Sequence, residues 1–122
     1  MHLRYQGFTL IELSIVIAII AILAVVALPK FLNLSTNSQT ATINGIAGAL
    51  SSANADNYAS RNISTTYGAA VTNCTSIGSL LQGGLPTGYT ITPLAVAVNA
   101  TVTCTLTGPS SSTATFIATG IQ

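Results

Sequence analysis

The chain has 122 residues, and only 4% of them are charged, well below the roughly 25% that is usual for soluble domains. Residues 62–122 contain no Asp, Glu, Lys, Arg or His. That part of the chain therefore lacks the side chains for general acid–base catalysis, for an activated nucleophile, and for a carboxylate or imidazole metal site. It also lacks the basic patch that phosphate recognition requires. The sequence predicts no enzyme, no metal and no cofactor, and it argues against a nucleic-acid partner.

The first predicted element is an apolar helix from Phe8 to Leu28, which contains one charge, Glu12. At ~1.5 Å per residue it is about 31 Å long, close to the ~30 Å hydrocarbon thickness of a bilayer. Every residue from Ile15 to Leu28 is apolar, whereas a helix packed in a soluble domain keeps a polar face. We therefore expect a segment that spans a membrane and, at another stage, packs against copies of itself.

A short polar stretch, residues 1–7 with Arg4, precedes this helix. A secretory signal is normally cut after its apolar region, at small residues such as A-x-A. The alanines of the apolar run stand three apart, so that pattern is absent there, and the obvious small-residue junction is Gly7-Phe8, before the run. Cleavage at this junction keeps the helix and gives it a new amine at Phe8.

The motif GFTLIEL at residues 7–13, followed by the apolar run and Pro29, resembles the class III leader of bacterial type IV pilins and pseudopilins. Residues 29–34 and 41–50 resemble, more loosely, the mannose-sensitive haemagglutinin (MSHA) type of pilin. The resemblance implies that a prepilin peptidase cuts after Gly7 and methylates the amine of Phe8. It further implies storage in the bacterial inner membrane, followed by assembly into an extracellular homo-oligomeric filament by the pilus machinery.

Glu12 is the one carboxylate of the apolar helix, and a charge within a membrane helix normally has a function. The amine at Phe8 is a suitable partner, four residues or about 6 Å away along the axis. The pilin resemblance implies that the two charges pair between neighbouring subunits during assembly, where water is excluded. The alternative is that Glu12 lies near the membrane surface and reaches water.

Pro29 cannot donate a hydrogen bond to the carbonyl of Val25, so it predicts a helix break there, as a kink or an unwound segment. Lys30 marks the membrane exit and ends the transmembrane segment, residues 8–30. Residues 31–61 are predicted to form the amphipathic half of the same helix, because apolar residues recur at steps of three and four. The inward positions are expected to be Ile43, Ile46, Ala47, Leu50, Ala53 and Asn57, with Ser51, Ser52 and Asn54 mostly elsewhere.

Residues 62–122 are predicted to form a small β domain. A short helix from Thr75 to Gln82 is expected first, with Thr75 as its cap. The predicted fold class is α+β, type IV pilin-like, in which one long helix from Phe8 to about Ala59 carries an antiparallel sheet on its C-terminal half. Three strands are expected in that sheet, from the alternation of apolar residues: Tyr89 to Val98 with Pro93 as an interruption, Thr101 to Thr107, and Thr113 to Thr119.

The only cysteines, Cys74 and Cys104, both lie beyond the predicted membrane span. In an exported domain the expected outcome is one disulfide, and the alternative is two separate buried thiols. A bond between these residues is expected to pin the loop between the long helix and the sheet to that sheet.

The predicted function is that of a structural subunit of a type IV pilus, which serves adhesion, motility or surface attachment. One alternative is a pseudopilin of a type II secretion system. The calcium site of major pseudopilins uses acidic loop residues, and Asp56 is the only acid here beyond Glu12. Another alternative is a minor pilin that acts as a tip adhesin or DNA-uptake factor. The scarcity of positive charge argues against the DNA role.

Overall fold

The computed structural model describes residues 6–122, so most of the predicted leader, including Arg4, lies outside the described residues. The chain divides into two compact units, an N-terminal unit, Met1–Asn37, and a C-terminal unit, Ser38–Gln122. The elements in chain order are helix α1 (Leu10–Ile63), a 3-10 helix (Cys74–Leu80), strand β1 (Thr90–Ile91), strand β2 (Thr101–Thr107), a 3-10 turn (Pro109–Ser111) and strand β3 (Thr113–Thr119). This order confirms the predicted α+β fold class.

Helix α1 begins at Leu10 and continues through Pro29, where the sequence predicts a break. Proline removes one backbone hydrogen bond, but its fixed φ near −65° is compatible with a helix. Regular turns on both sides therefore keep this segment helical. The unwound segment expected at Pro29 is not found in this structure, and a kink there stays a prediction.

The part of α1 within the C-terminal unit is amphipathic, as predicted. Ile43, Ala47 and Leu50 are buried, and Asn57 joins them on the same face. Asn54 is also buried, at 3% exposure, although the sequence places it mostly outside this face. The reason is that its amide finds a backbone partner in the sheet, which the helical period alone does not reveal. The helix ends at Ile63 rather than near Ala59.

The three strands form an antiparallel sheet in the order β1-β2-β3. Cys104 and Leu106 of β2 and Phe116 of β3 are almost fully buried. With the inward face of α1 they belong to one hydrophobic core, which lies entirely within the C-terminal unit. The outward face of β2 and β3 is uncharged and consists of one isoleucine and seven threonines: Ile117, Thr101, Thr103, Thr105, Thr107, Thr113, Thr115 and Thr119.

Strand β1 is much shorter than the predicted segment from Tyr89 to Val98. After Ile91, the amide of Thr92 still donates to the Thr105 carbonyl at 3.0 Å. Pro93 follows and has no amide to continue the ladder. The remaining residues pair elsewhere, because Ala95 bridges to Asn73 and Val98 bridges to Gly120.

The short helix that the sequence predicts from Thr75 to Gln82 is a 3-10 helix from Cys74 to Leu80. Its cap is Asn73 rather than Thr75. The Asn73 Oδ1 atom accepts hydrogen bonds from the amide of Thr75 at 3.1 Å and from the amide of Leu94 at 3.3 Å. One side chain therefore caps the helix and also ties it to the segment after β1.

Cys74 and Cys104 form a disulfide, with their Cα atoms 5.8 Å apart, which confirms the predicted pairing. Both residues are buried in the core of the C-terminal unit. The bond joins the start of the 3-10 helix to the middle of β2. It thereby fixes the loop between α1 and the sheet against that sheet.

Candidate assembly site

The predicted processing junction lies just before helix α1. Gly7 and Phe8 are exposed and have no regular secondary structure, and the Phe8 side chain is 89% exposed. Together with Gln6 and Glu12 they line a shallow open depression of the surface. The chain at this point is therefore accessible and not helical, and the carboxylate of Glu12 lines the same depression.

Thr9 and Glu12 cap the start of α1 reciprocally. The amide of Thr9 donates to Oε2 of Glu12 at 2.8 Å, and the Thr9 hydroxyl donates to the same oxygen at 2.9 Å. In return, the amide of Glu12 donates to the Thr9 hydroxyl at 3.3 Å. This is a capping box, which satisfies amides that the first turn of a helix leaves without partners.

The capping box gives Glu12 a role within its own chain that the sequence analysis missed. The signal was available, because a threonine three residues before a glutamate at the start of an apolar run is the pattern of this motif. Oε1 of Glu12 accepts no hydrogen bond from residues 6–122, so one carboxylate oxygen is left for a partner outside the chain. The negative charge also lies at the positive end of the helix dipole, where it is favourable.

The N-terminal half of α1 presents a bare apolar surface. It contains a stretch long and apolar enough to cross a membrane, and none of that stretch is buried within the chain. Such a surface is expected to be buried against lipid or protein, because large exposed apolar patches are rare in monomeric soluble proteins. The exposed large apolar side chains here are Leu10, Ile11, Leu13, Ile15, Val16, Ile17, Ile19, Ile20, Ile22, Leu23, Val25, Val26, Leu28, Phe31, Leu32 and Leu34.

Two polar residues of α1 hold the edge of the sheet. The Ser51 hydroxyl accepts from the amide of Ile117 at 3.1 Å, and Oδ1 of Asn54 accepts from the amide of Thr119 at 3.2 Å. β3 is an edge strand, and alternate amides of an edge strand point away from the sheet. The helix therefore closes this edge with side chains in place of a further strand.

Asn57 holds the loop after the helix. Its Nδ2 donates to the Ala69 carbonyl at 2.9 Å, and its Oδ1 accepts from the Ala69 amide at 2.7 Å. Gly68 precedes this contact with φ of +70°, and a Cβ atom at that position would collide with Oδ1 of Asn57. The sequence analysis placed Asn57 on the inward face but did not identify this pairing.

Acidic and basic side chains are sparse in the C-terminal unit. Asp56 is exposed and Arg61 is partly buried, and no ion pair joins them to any residue from 6 to 122. Within the same range, no three His, Cys, Asp or Glu side chains lie close enough together to hold a metal ion. The described surface therefore offers apolar, hydroxyl and amide groups, with a few separated charges.

Comparison with known proteins identifies the same N-terminal region. Residues 3–28 match a family model described as the prokaryotic N-terminal methylation motif. The type IV narrow pilus major component PilA5 of Thermus thermophilus is 38% identical over 90 residues, which cover 74% of this chain and 72% of that protein. No solved structure gives a significant match.

Other relatives match over shorter stretches. The type IV major alpha-pilin of Moraxella bovis is 58% identical over 40 residues, or 33% of this chain and 25% of the relative. The type IV major fimbrial protein FimA of Dichelobacter nodosus is 46% identical over 48 residues, or 39% of this chain and 31% of the relative. The MSHA-type resemblance stays a prediction. Because PilA5 aligns across more than two thirds of both chains, and the methylation motif precedes the apolar helix, this chain belongs to the type IV pilin family.

Proposed function

We propose that this chain is the main structural subunit of a type IV pilus, matured by cleavage between Gly7 and Phe8 and polymerised through helix α1. As a type IV pilin it is a structural subunit, anchored in a membrane by its apolar helix before assembly and part of the extracellular filament afterwards. The major role is supported by relatives that are named as a major pilus component and as major pilin and fimbrial proteins. The role is structural rather than catalytic.

The observation that carries this proposal is the uncovered apolar half of α1. Hydrocarbon covers such a surface in a membrane, and the same surface of neighbouring subunits covers it in a filament. No partner of another kind is needed at either stage. The helix can move from the membrane into the filament only if the mature chain retains it. Cleavage before Phe8 retains it.

A prepilin peptidase of the bacterial inner membrane is the proposed processing partner, and it also methylates the new amine of Phe8. The accessible junction at Gly7 suits such an enzyme, because no helix has to be unwound there. Glu12 of one subunit is the proposed partner of the Phe8 amine of the next, so that two charges leave lipid together as a pair. The pilus assembly machinery supplies the ordered addition of subunits.

Mass spectrometry of the mature protein tests the processing step. The expected N-terminal peptide begins with methylated Phe8. A mature chain that begins at Met1, or beyond Leu28, contradicts the proposal. Negative-stain microscopy and mass spectrometry of sheared surface filaments test the major role, because a main subunit dominates the filament protein and a minor subunit contributes only traces.

A further inference from the structure

The C-terminal unit has only two charged side chains, Asp56 and Arg61, and neither has a partner among residues 6–122. No ion pair or side-chain hydrogen bond involves them within residues 6–122. Asp56 is exposed on α1. Arg61 is partly buried, and its Nε atom is buried without a hydrogen-bond partner. A buried donor without an acceptor is unfavourable, so this site is incomplete in the separate chain.

The two residues cannot complete each other within one chain. They are five residues apart on α1, which corresponds to about 7.5 Å along the axis and about 140° around it. Arg61 lies toward the loop after the helix, since its Cγ is near the position that a Cβ of Gly68 would occupy. Asp56 lies on the opposite, exposed side. The C-terminal unit therefore carries one negative and one positive side chain, and they lie on different sides of the unit.

A heterologous contact, in which one surface of a subunit meets a different surface of the next, brings two such sides together. These contacts generate helical filaments when the rotation between subunits does not close a ring. We propose that Asp56 of one subunit pairs with Arg61 of the next subunit in the assembled pilus. The occupant of this surface is a second copy of the chain, and the proposal rests on the proposed function in that it requires a filament.

The positions of the two residues on α1 set the displacement that the pair requires. In a helical filament, one symmetry operation relates successive subunits, so every atom moves by the same axial distance. Asp56 and Arg61 are five residues apart, about 7.5 Å along the helix. A neighbour displaced along α1 by about that distance brings its Asp56 level with Arg61.

Lys30 is the competing partner for Asp56, because it is the only other basic side chain after the proposed cleavage site. Lys30 belongs to the N-terminal unit, whereas Asp56 and Arg61 belong to the same folded unit. Arg61 is preferred because its Nε atom has no hydrogen-bond partner among residues 6–122.

Zero-length carbodiimide coupling of sheared filaments distinguishes these partners. The reagent joins a carboxylate to an amine that touches it, and arginine does not react. Arg61→Lys keeps the charge and most of the stem but supplies a reactive amine. In Arg61→Lys filaments we expect covalent dimers and higher multimers on denaturing gels, with an Asp56–residue 61 cross-linked peptide in the mass spectrum. The matched control, Asp56→Asn with Arg61→Lys, is expected to lose that peptide.

Each outcome decides the proposal. A peptide that joins Lys30 to Asp56 in unmodified filaments overturns it and assigns Asp56 to Lys30 instead. Arg61→Lys filaments that give no linkage to Asp56 also overturn it, whereas the pilin function stands as long as filaments form. If the unmodified chain forms no filaments at all, the proposed function itself fails, and that result is distinct from the other two.

Charge exchange provides a functional test. Asp56→Arg and Arg61→Asp place like charges at every contact, and each is expected to lower filament yield on the order of tenfold or more. The double variant restores opposite charges at every contact and is expected to recover most of the yield. Normal filament yield from both single variants overturns the proposal. If Arg61→Asp disturbs folding, shown by free Cys74 and Cys104 thiols, the Asp56→Arg variant and the coupling experiment still decide.

Discussion

Thr9 orients the carboxylate of Glu12 before any neighbour arrives. Two donors of Thr9 converge on Oε2, and Oε1 accepts no hydrogen bond from residues 6–122. The carboxylate thus serves the helix terminus within its own chain and still has one oxygen for an amine from outside. An intermolecular pair formed in this way does not require the capping box to open. We therefore expect assembly to depend on the charge of Glu12, and not only on its hydrogen bonds.

Glu12→Gln tests this dependence, because glutamine keeps the size and the cap acceptor but removes the charge. We expect the variant to enter the membrane and to be cut after Gly7, since an amide is less costly in hydrocarbon than a carboxylate. Surface filaments are expected to fall sharply, because a neighbour's Phe8 amine would be buried without a counter-charge. The measurement is the amount of cleaved subunit in the membrane and in the sheared filament fraction.

A control for the same helix turn is Ser14→Ala. It removes a hydroxyl that bonds only to the carbonyl of Ile11, at 2.9 Å, and it leaves the charge in place. Normal filaments are expected from this control. Normal numbers of filaments from Glu12→Gln, as the only pilin in the cell, would show that the charge pair is not the basis of assembly here.

Gly68 provides a second residue-scale prediction. Gly68→Ala places a Cβ at φ of +70°, against Oδ1 of the buried Asn57. The expected loss of unfolding free energy is about 1–3 kcal/mol, because the backbone is strained and the amide pairing to Ala69 is displaced. Thermal unfolding of the full chain in detergent, followed by circular dichroism, measures it.

Gly48→Ala is the matched control. Gly48 lies in α1, and beyond the neighbouring backbone of the helix no atom lies within 4 Å of a Cβ built there. An alanine in a helix is favoured over glycine by up to ~1 kcal/mol, so this variant is expected to be more stable than the natural chain. Equal stability of the two glycine variants would rule out the proposed role of the Gly68 conformation.

At the scale of elements, the long helix and the two long strands were predictable because each has a strong and uninterrupted pattern. The apolar run and the three-to-four spacing after Lys30 predict one helix, and the alternation in β2 and β3 predicts their inward faces. Burial of Cys104, Leu106, Ala114, Phe116 and Ala118 confirms those faces. These patterns are local, and tertiary contacts do not change them.

The features that sequence reasoning missed depend on contacts between distant parts of the chain. Asn54 is buried because the Thr119 amide, 65 residues later, needs an acceptor. Asn73 replaces Thr75 as the cap because it also binds the amide of Leu94. β1 is short because the segment after Pro93 finds other bridges. Thr9 is the exception, since its signal is local and was overlooked.

The contact between α1 and the edge of β3 gives an element-scale prediction. Asn54→Ala leaves the partly buried amide of Thr119 without its acceptor, and we expect a loss of about 1–3 kcal/mol of unfolding free energy. Ser51→Ala is expected to cost less, because its contact with the Ile117 amide is more exposed. Thermal unfolding in detergent measures both.

The control is Ser52→Ala, an exposed neighbour expected to change stability by no more than ~0.5 kcal/mol. Equal effects of Asn54→Ala and Ser52→Ala would show that the helix does not hold this edge.

At the scale of the whole molecule, folding and assembly use different residues. Every buried core residue, from Ile43 to Ile121, lies in the C-terminal unit. The apolar half of α1 contributes nothing to that core, and none of its membrane-length stretch is buried. The C-terminal unit can therefore keep the same fold before and after assembly. Only the surroundings of the apolar helix change, from lipid to neighbouring subunits.

This separation predicts that a fragment from Ser38 to Gln122 folds without the rest of the chain. It is expected to be a soluble monomer with the Cys74–Cys104 bond formed, because its core is complete and the surface that needs lipid is gone. The disulfide closes a loop with a sequence separation of 30, and the chain-entropy model assigns it about 3–4 kcal/mol. Reduction is therefore expected to remove much of the stability of so small a unit.

Size-exclusion chromatography and thermal unfolding, with and without reductant, measure these properties of the fragment. The variant Cys74→Ala with Cys104→Ala serves as the control, because reductant is expected to leave its unfolding unchanged. The fragment is also expected not to enter filaments when it is exported beside the full chain, since it lacks Phe8, Glu12 and the apolar helix. An oxidised fragment that is unfolded would mean that the N-terminal half of α1 is needed for folding as well as for assembly.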